Sequence, residues 1–250
     1  MEATGARRSQ SEADLARDQQ EKKQRLAALV VHDLRSPLAG IQGCLELLRA
    51  ELDAAGGESP RAARYIDDAH THVERALSLV ATILDVDELE EGLLRVEPVL
   101  VRMTELIDRS RTSIRAHYEV RQLRFEATCA PGLMVRLDPG LFWRVFENLL
   151  DNAARFAPRG GYVALSVARD DEGLEIAVGN NGPSVPEAER EAIFGRFYQV
   201  EARRAAARAN RGLGLYFCKL AVEAHGGSIH VEERGELGTV FVIRLPEPLP

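Results

Sequence analysis

Apolar positions in the first ninety residues recur at helical spacing. Leu26, Val30, Leu34, Leu38, Ile41, Leu45, Leu48 and Leu52 follow one another in steps of three or four. That is the repeat of a single helix face. Ile66, Ala69, Val73, Ala76, Val80, Ile83 and Val86 repeat the pattern. Gly56-Gly57-Glu58-Ser59-Pro60 separates the two runs, and a Gly/Pro break between amphipathic helices predicts an antiparallel hairpin. Each helix should exceed about 25 residues, roughly 40 Å at 1.5 Å per residue. Two such helices leave a stripe they cannot bury alone. A dimeric four-helix bundle would cover it; the alternative is packing on the C-terminal half within a monomer.

From about residue 93 the texture changes, and strand-like alternation is interleaved with helical runs. The pattern predicts a short strand near 93–97, a helix near 101–116, and strands near 123–128 and 134–137. A helix over about 139–155 follows, then strands near 162–168 and 174–178. A loop-rich stretch covers 179–211. A helix near 213–224 and a strand pair at 228–233 and 239–245 close the chain. Alternation within the strands predicts a sheet with one face on helices. The expected organisation is α+β in two domains: a charged helical extension over 1–25, a helical domain over 26–92, and an α/β domain over 93–250.

Composition narrows the function. Among 250 residues, 39 are acidic and 32 basic, for a formal net charge of −7. That balance argues against general nucleic-acid binding, which needs a basic surface. No apolar run approaches the ~20 residues of a membrane helix, and residues 1–25 contain no hydrophobic signal region. The three cysteines, Cys44, Cys129 and Cys218, are far apart and lack metal-ligand spacing. A reducing, cytoplasmic setting is expected.

Four segments carry candidate chemistry. In Val31-His32-Asp33-Leu34-Arg35-Ser36-Pro37-Leu38, His32 lies about 160–200° around the helix from Val30 and Leu34 at 100° per residue, so it faces solvent. Pro37 removes a backbone donor just beyond it, at a cost of ~3 kcal/mol in a helix interior. In Glu147-Asn148-Leu149-Leu150-Asp151-Asn152-Ala153-Ala154-Arg155-Phe156, Asn148 and Asn152 share one helix face. Phe146, Leu149, Leu150 and Ala153 make the core side. Asparagine is a poor helix former, so the pair has a polar task or simply a solvated face. An amide oxygen is a hard ligand suited to Mg²⁺ with phosphates completing the shell. In Val178-Gly179-Asn180-Asn181-Gly182-Pro183-Ser184-Val185-Pro186, a strand ends in a turn with polar groups at its tip. Gly182 can bring backbone close to a ligand; an ordinary turn is the alternative. In Arg211-Gly212-Leu213-Gly214-Leu215, glycines open a helix that runs on to Lys219. Exposed N–H groups there favour anions, and Arg203, Arg204, Arg208 and Arg211 precede it. No Walker A sequence is present.

In this order the segments resemble the sensor histidine kinases of two-component systems, over about residues 25–245. "HDLRSPL" resembles the phosphoacceptor box, "ENLLDNAARFAP" the N box, and "VGNNGPSVP" the first glycine box. "IFGRFYQV" is similar to the F box, "RGLGLYFCKLAVEAHGGSI" to the second glycine box, and "GTVFVIRLP" to the closing strand pair. The resemblance implies a dimerisation and histidine phosphotransfer domain, then a Bergerat-type α/β sandwich that holds ATP beneath a flexible lid. It implies that His32 attacks the γ-phosphorus of ATP and that Asp33 accepts a proton from, or orients, the other imidazole nitrogen. Asn152 would ligate Mg²⁺, and Asn148 and Arg155 would support the phosphates. Asn180 would read adenine beside Gly182. Arg211, Gly212, Leu213, Gly214 and Lys219 would belong to the phosphate end, with Phe194 and Phe197 as lid anchors. A homodimer and a separate response regulator are the implied partners. No sensory domain is visible, so the signal comes from a separate sensor protein or from a longer protein of which this chain is a piece.

Three departures stand out. Asn180 occupies the place where the family usually has an aspartate that accepts from the adenine amino group. A neutral acceptor is weaker by about 1 kcal/mol, which predicts weaker ATP binding. Ser184 and Asn210 replace glycines, which predicts a stiffer lid. Ser36 stands where many relatives carry a threonine linked to dephosphorylating the regulator, and it keeps the hydroxyl. These departures motivate the competing reading, a pseudokinase whose helical bundle docks a regulator.

Overall fold

A computed structural model describes residues 34, 37–53, 61–171, 173–196, 198 and 213–246. The extension over 1–25, the Gly/Pro break at 56–60 and the arginine run at 203–211 lie outside the described residues. Two amphipathic helices open the described chain: α1 over 37–53 and α2 over Ala62–Glu90. Glu51 meets Arg61 at 4.0 Å. Gly40 lies so close to the His72 ring that a Cβ there would be 2.6 Å from it. The two pairs run in opposite directions along the helices, as an antiparallel hairpin requires. Leu38, Leu45, Ile66, Val73, Leu77 and Val80 remain exposed. All but Leu77 belong to the stripes expected from the sequence, while Ile41, Leu48, Leu52 and Ile83 of those stripes are half-buried and Val86, at the end of the second, is fully buried in the core.

The chain divides into units Met1–Val80 and Ala81–Pro250, and the division falls inside α2. In the second unit, β1 (Val99–Arg102) leads into α3 (Met103–Arg121). Then come β2 (Arg124–Cys129), β3 (Met134–Leu137) and α4 (Pro139–Phe156). The hairpin of β4 (Tyr162–Asp170) and β5 (Gly173–Asn180) follows. Two 3₁₀ turns, Glu187–Glu189 and Ala192–Phe194, lie within the stretch expected to be loop. The unit ends with α5 (Gly214–Ala224), β6 (Ser228–Arg234) and β7 (Leu237–Leu245).

Five strands form one sheet in the order β2-β4-β5-β7-β6. The β2–β4 pair is parallel and the other pairs are antiparallel. α3, α4 and α5 layer against it. Leu174, Ile176 and Val178 of β5 join Phe241, Ile243 and Leu245 of β7 in the main core with the helices, while Ala177, Val240 and Val242 form a small cluster apart from it. Side chains alternate between faces along a strand, so one face of the sheet carries the helical layer.

The strand expected near 93–97 is absent. Those residues form no ladder, and Glu97 N–H donates to the Asp138 carboxylate instead. Leu94 and Val96 do pack against the core, so their alternation is real. Pairing starts only after Pro98, where β1 pairs with β3. β1 takes Val101 and Arg102 from the start of the expected helix, so α3 begins at Met103.

α4 is anchored at both ends. At its start, Asp138 accepts from the N–H groups of Gly140 and Leu141 at 2.9 and 3.1 Å, and Pro139 occupies the first turn. This is a complete N-cap. At its end, the Arg121 guanidinium donates to the carbonyls of Ala154, Arg155 and Ala157, acceptors that lack intrahelical partners. Arg121→Ala should destabilise the second unit by about 3 kcal/mol, because charge-assisted bonds to orphan carbonyls are worth about 1.5–3 kcal/mol each and are not additive. Urea unfolding measures this.

His225 ties the same cap to α5. Its Nε2 accepts from Asp138 N–H at 3.0 Å, so Nδ1 carries the proton facing Ala221 O at 2.7 Å. Burial pushes its imidazole below the usual range, against the Ala221 carbonyl and the Asp138 carboxylate, which favour the charged form. Below about pH 6.5 the unfolded imidazole binds a proton that the folded one resists. Stability should therefore fall as the pH drops from about 6.5 towards the lowered folded value. His225→Gln should be less stable at pH 7 yet lack this part of the slope, which paired urea titrations at pH 7 and 5.5 would resolve.

Candidate nucleotide-binding site

Four pairs of residues repeat along α4 in a fixed way. Leu141 and Phe142, Val145 and Phe146, Leu149 and Leu150, and Ala153 and Ala154 are buried. Arg144, Glu147, Asn148, Asp151, Asn152 and Arg155 lie between them, half-buried. The two expected asparagines thus share the polar face. Asn148 Nδ2 donates to Arg144 O at 2.9 Å. Its Oδ1 faces the first residue of α5, where a Cβ on Gly214 would sit 2.4 Å away. Only a residue without a side chain allows α5 to begin so close to the asparagine. Two motifs far apart in sequence therefore meet.

Asn152 makes no side-chain hydrogen bond among the described residues. Arg155 is held by Asp151 at 2.8 Å. No group of three or more His, Cys, Asp or Glu that could hold a metal exists among the described residues. Asn148 and Asn152 offer amide oxygens beside the Glu147 and Asp151 carboxylates on this face, oxygen donors that fit a hard cation whose remaining ligands come from phosphates.

Asn180 is the last residue of β5 and is 1% exposed. It continues the core-facing row of Leu174, Ile176 and Val178 rather than standing at the tip of the turn. Its Nδ2 is buried without a hydrogen-bond partner among the described residues. An unmade hydrogen bond on a buried polar group costs about 1–3 kcal/mol, so this donor is one that a ligand atom or a water would satisfy. Thr239 of β7 is paired with it in register, lies on the same face, and is buried while donating to Pro183 O at 2.8 Å. Asn181 takes the turn position instead and accepts from Tyr162 N–H. Gly182 is packed tightly by its own chain. A Cβ there would meet Phe156 O at 2.1 Å and Asn180 Nδ2 at 2.5 Å.

Leu213 is buried at the start of α5, and Lys219 pairs loosely with Glu223 at 3.8 Å. Phe194 is buried against Phe241, edge to face, as a packing anchor would be. His32, Asp33, Ser36, Phe197, Asn210, Arg211 and Gly212 lie outside the described residues. The cysteines are free, and Cys218 is fully buried.

The sequence reading missed a charged cluster beside this site. Arg144 pairs with Asp85, donates to Thr82 Oγ1, and lies over the Phe217 ring at 4.4 Å. Arg196 bonds Asp87 and Glu90 at 3.0 and 2.7 Å, and Tyr216 donates to Glu90. These contacts fasten residues 82–90 to α4, to the end of the second 3₁₀ turn and to α5. Arg144 stands one turn before Asn148, which was the only local signal.

Two family models match the chain. Residues 22–92 match the His Kinase A (phospho-acceptor) domain. Residues 137–249 match the histidine kinase-, DNA gyrase B- and HSP90-like ATPase. Over 241 residues the chain is 33% identical to the signal transduction histidine-protein kinase/phosphatase MprB of Mycobacterium avium (strain 104). The match covers 93% of this chain and 45% of that relative, so the chain spans under half of its length. Among solved structures, the mycobacterial sensor histidine kinase MprB aligns with a TM-score of 0.51 at 34% identity, over 61% of this chain and 97% of that one. The Acinetobacter baumannii histidine kinase AdeS aligns with a TM-score of 0.64 at 20% identity, over 87% of this chain and 98% of that one, a likeness of fold alone.

Proposed function

Because the chain belongs to the sensor histidine kinases, we propose that it phosphorylates its own His32 with ATP and hands the phosphoryl group to an aspartate of a separate response regulator. The observation that carries this reading is Asn180, a buried amide with an unpartnered donor closing a core-facing row. Such a group fits the edge of a purine base.

In the step itself, a ring nitrogen of His32 forms a bond to the γ-phosphorus. The bond from that phosphorus to the β–γ bridging oxygen breaks, ADP leaves with the electron pair, and the proton on the other ring nitrogen passes to the Asp33 carboxylate. Asp33 holds the other ring nitrogen and raises the nucleophilicity of the attacking one. Phosphoryl transfer depends on positioning and charge neutralisation rather than on covalent help from the protein. Mg²⁺ supplies that neutralisation when bound, with Asn152 as the protein ligand. Asn148 holds the start of α5 in place through its approach to Gly214, and Gly212, Leu213 and Gly214 bring backbone N–H groups towards the phosphates. Arg155, Arg211 and Lys219 supply cationic donors, Arg155 by exchanging Asp151 for a phosphate oxygen. Asn180 and Gly182 form the base end. Ser36 offers a hydroxyl for dephosphorylating the regulator.

Residues 26–92 serve as the dimerisation and phosphotransfer domain, preceded by a charged extension over 1–25, and residues 93–250 as the ATP-binding domain. The exposed stripe from Leu38 to Val80 supports a homodimeric four-helix bundle. Among the described residues no helix is long and apolar enough to cross a membrane. The reading places this chain on the cytoplasmic side, with input from a separate sensor protein or a further part of the same polypeptide.

The test is incubation with γ-labelled ATP and Mg²⁺. Label that is lost in acid and kept in alkali supports phosphohistidine. A folded dimer that binds ATP and never acquires label, with or without a receiver domain, overturns the kinase reading in favour of a docking role.

A further inference from the structure

We propose that Asn180 makes the nucleotide site accept 6-oxopurine triphosphates as well as ATP, an inference that rests on the reading of this site as a nucleotide site. Asn180 is 1% exposed, lies on the helix-facing side of β5, and has a buried Nδ2 with no partner among the described residues. Its amide presents one donor and one acceptor side by side. Adenine offers a complementary pair on its outer edge: the 6-amino group donates and N1 accepts. In this pose Oδ1 accepts from the amino group and Nδ2 donates to N1. Hypoxanthine and guanine offer the reverse, with O6 accepting and N1–H donating. The amide meets them after a half-turn about its terminal torsion, which is broad and roughly two-fold.

A carboxylate at the same position is acceptor-only when ionised. It suits the adenine amino group but sets its charge against O6. The carboxamide therefore removes the element that would reject a 6-oxopurine, and rejection of that kind is the main source of strong discrimination at hydrogen-bonded sites. Thr239 does not restore it. Its hydroxyl proton is committed to Pro183 O, so it offers the base lone pairs only, and its hydroxyl is uncharged.

The experiment is calorimetric titration of the whole chain with Mg²⁺-ATP, Mg²⁺-ITP and the Mg²⁺ complex of purine riboside triphosphate, which has no substituent at C6. ITP tests the 6-position without the 2-amino group of GTP. ATP and ITP should bind within about tenfold of each other, with purine riboside triphosphate weaker than both because one amide group is then left unmade. Asn180→Asp should widen the ITP/ATP ratio of dissociation constants by at least about 30-fold. ITP binding more than a hundredfold weaker than ATP in the unaltered chain overturns the inference and leaves the nucleotide site standing. Equal affinity for all three ligands, or an ITP/ATP ratio unmoved by Asn180→Asp, overturns the assignment to Asn180. Absence of binding by any of them overturns the nucleotide site itself and this inference with it. Should Asn180→Asp fail to fold, the three affinities of the unaltered chain still decide.

Discussion

His32→Ala is expected to take no label from γ-labelled ATP while binding ATP as tightly as the unaltered chain. A phosphohistidine needs a ring nitrogen with a free electron pair at the γ-phosphorus, and no group on alanine substitutes for it. The expected loss is at least about a thousandfold, as for removal of other covalent nucleophiles. Nucleotide affinity should stay within about twofold, because the proposed base and phosphate ends of the site lie beyond residue 140 and His32 is not among their residues. Filter binding of label beside calorimetry separates the two quantities. Label retained by the variant would move the nucleophile elsewhere. His70 and His72 are the next histidines in the helical hairpin, and the His72 ring is already packed against Gly40.

Asn152→Ala carries the second large effect, a fall in autophosphorylation of at least about a hundredfold with ATP affinity no longer responding to Mg²⁺. Stability makes this test discriminating. Asn152 sits in the interior of α4, half-buried and without a side-chain partner among the described residues. Alanine is the better helix former by up to about 0.7 kcal/mol. The variant should therefore unfold no earlier than the parent while losing catalysis. A residue kept for structure would show the opposite pattern, with stability falling and the Mg²⁺ response intact. A Mg²⁺ titration of ATP affinity, run with urea unfolding, reads both.

Much of the second unit was legible because α4, β3 and β4 carry a single unambiguous period. The row of Phe146, Leu149, Leu150 and Ala153 is buried as its spacing requires, which leaves Asn148 and Asn152 on the other side. Four features were not legible. Residues 93–97 alternate like a strand, but pairing depends on a neighbour, and Glu97 finds the Asp138 carboxylate instead. Asn180 read as a turn residue because asparagine is common in turns. Its register on β5 puts it in the core row instead, a fact set by the partner strands. The Arg144 and Arg196 clusters use residue types that normally mark a solvated surface, and their partners lie 59 to 109 positions away, beyond any local pattern. The meeting of Gly214 with Asn148 is likewise a tertiary fact. The glycine announced only that something would come close.

The charged cluster also governs how this polypeptide can be taken apart. A cut at the change of texture near residue 93 would carry Thr82, Asp85, Asp87 and Glu90 away with the helical piece. Arg144 would stay behind, half-sunk over the Phe217 ring with its carboxylate gone, and such a stranded charge costs more than the intact pair ever gained. Arg196 would lose Asp87 and Glu90 together. A cut before Ala81 keeps all of them. The natural scissor line for an isolated C-terminal fragment therefore runs through the middle of a continuous helix, not through the linker that follows it.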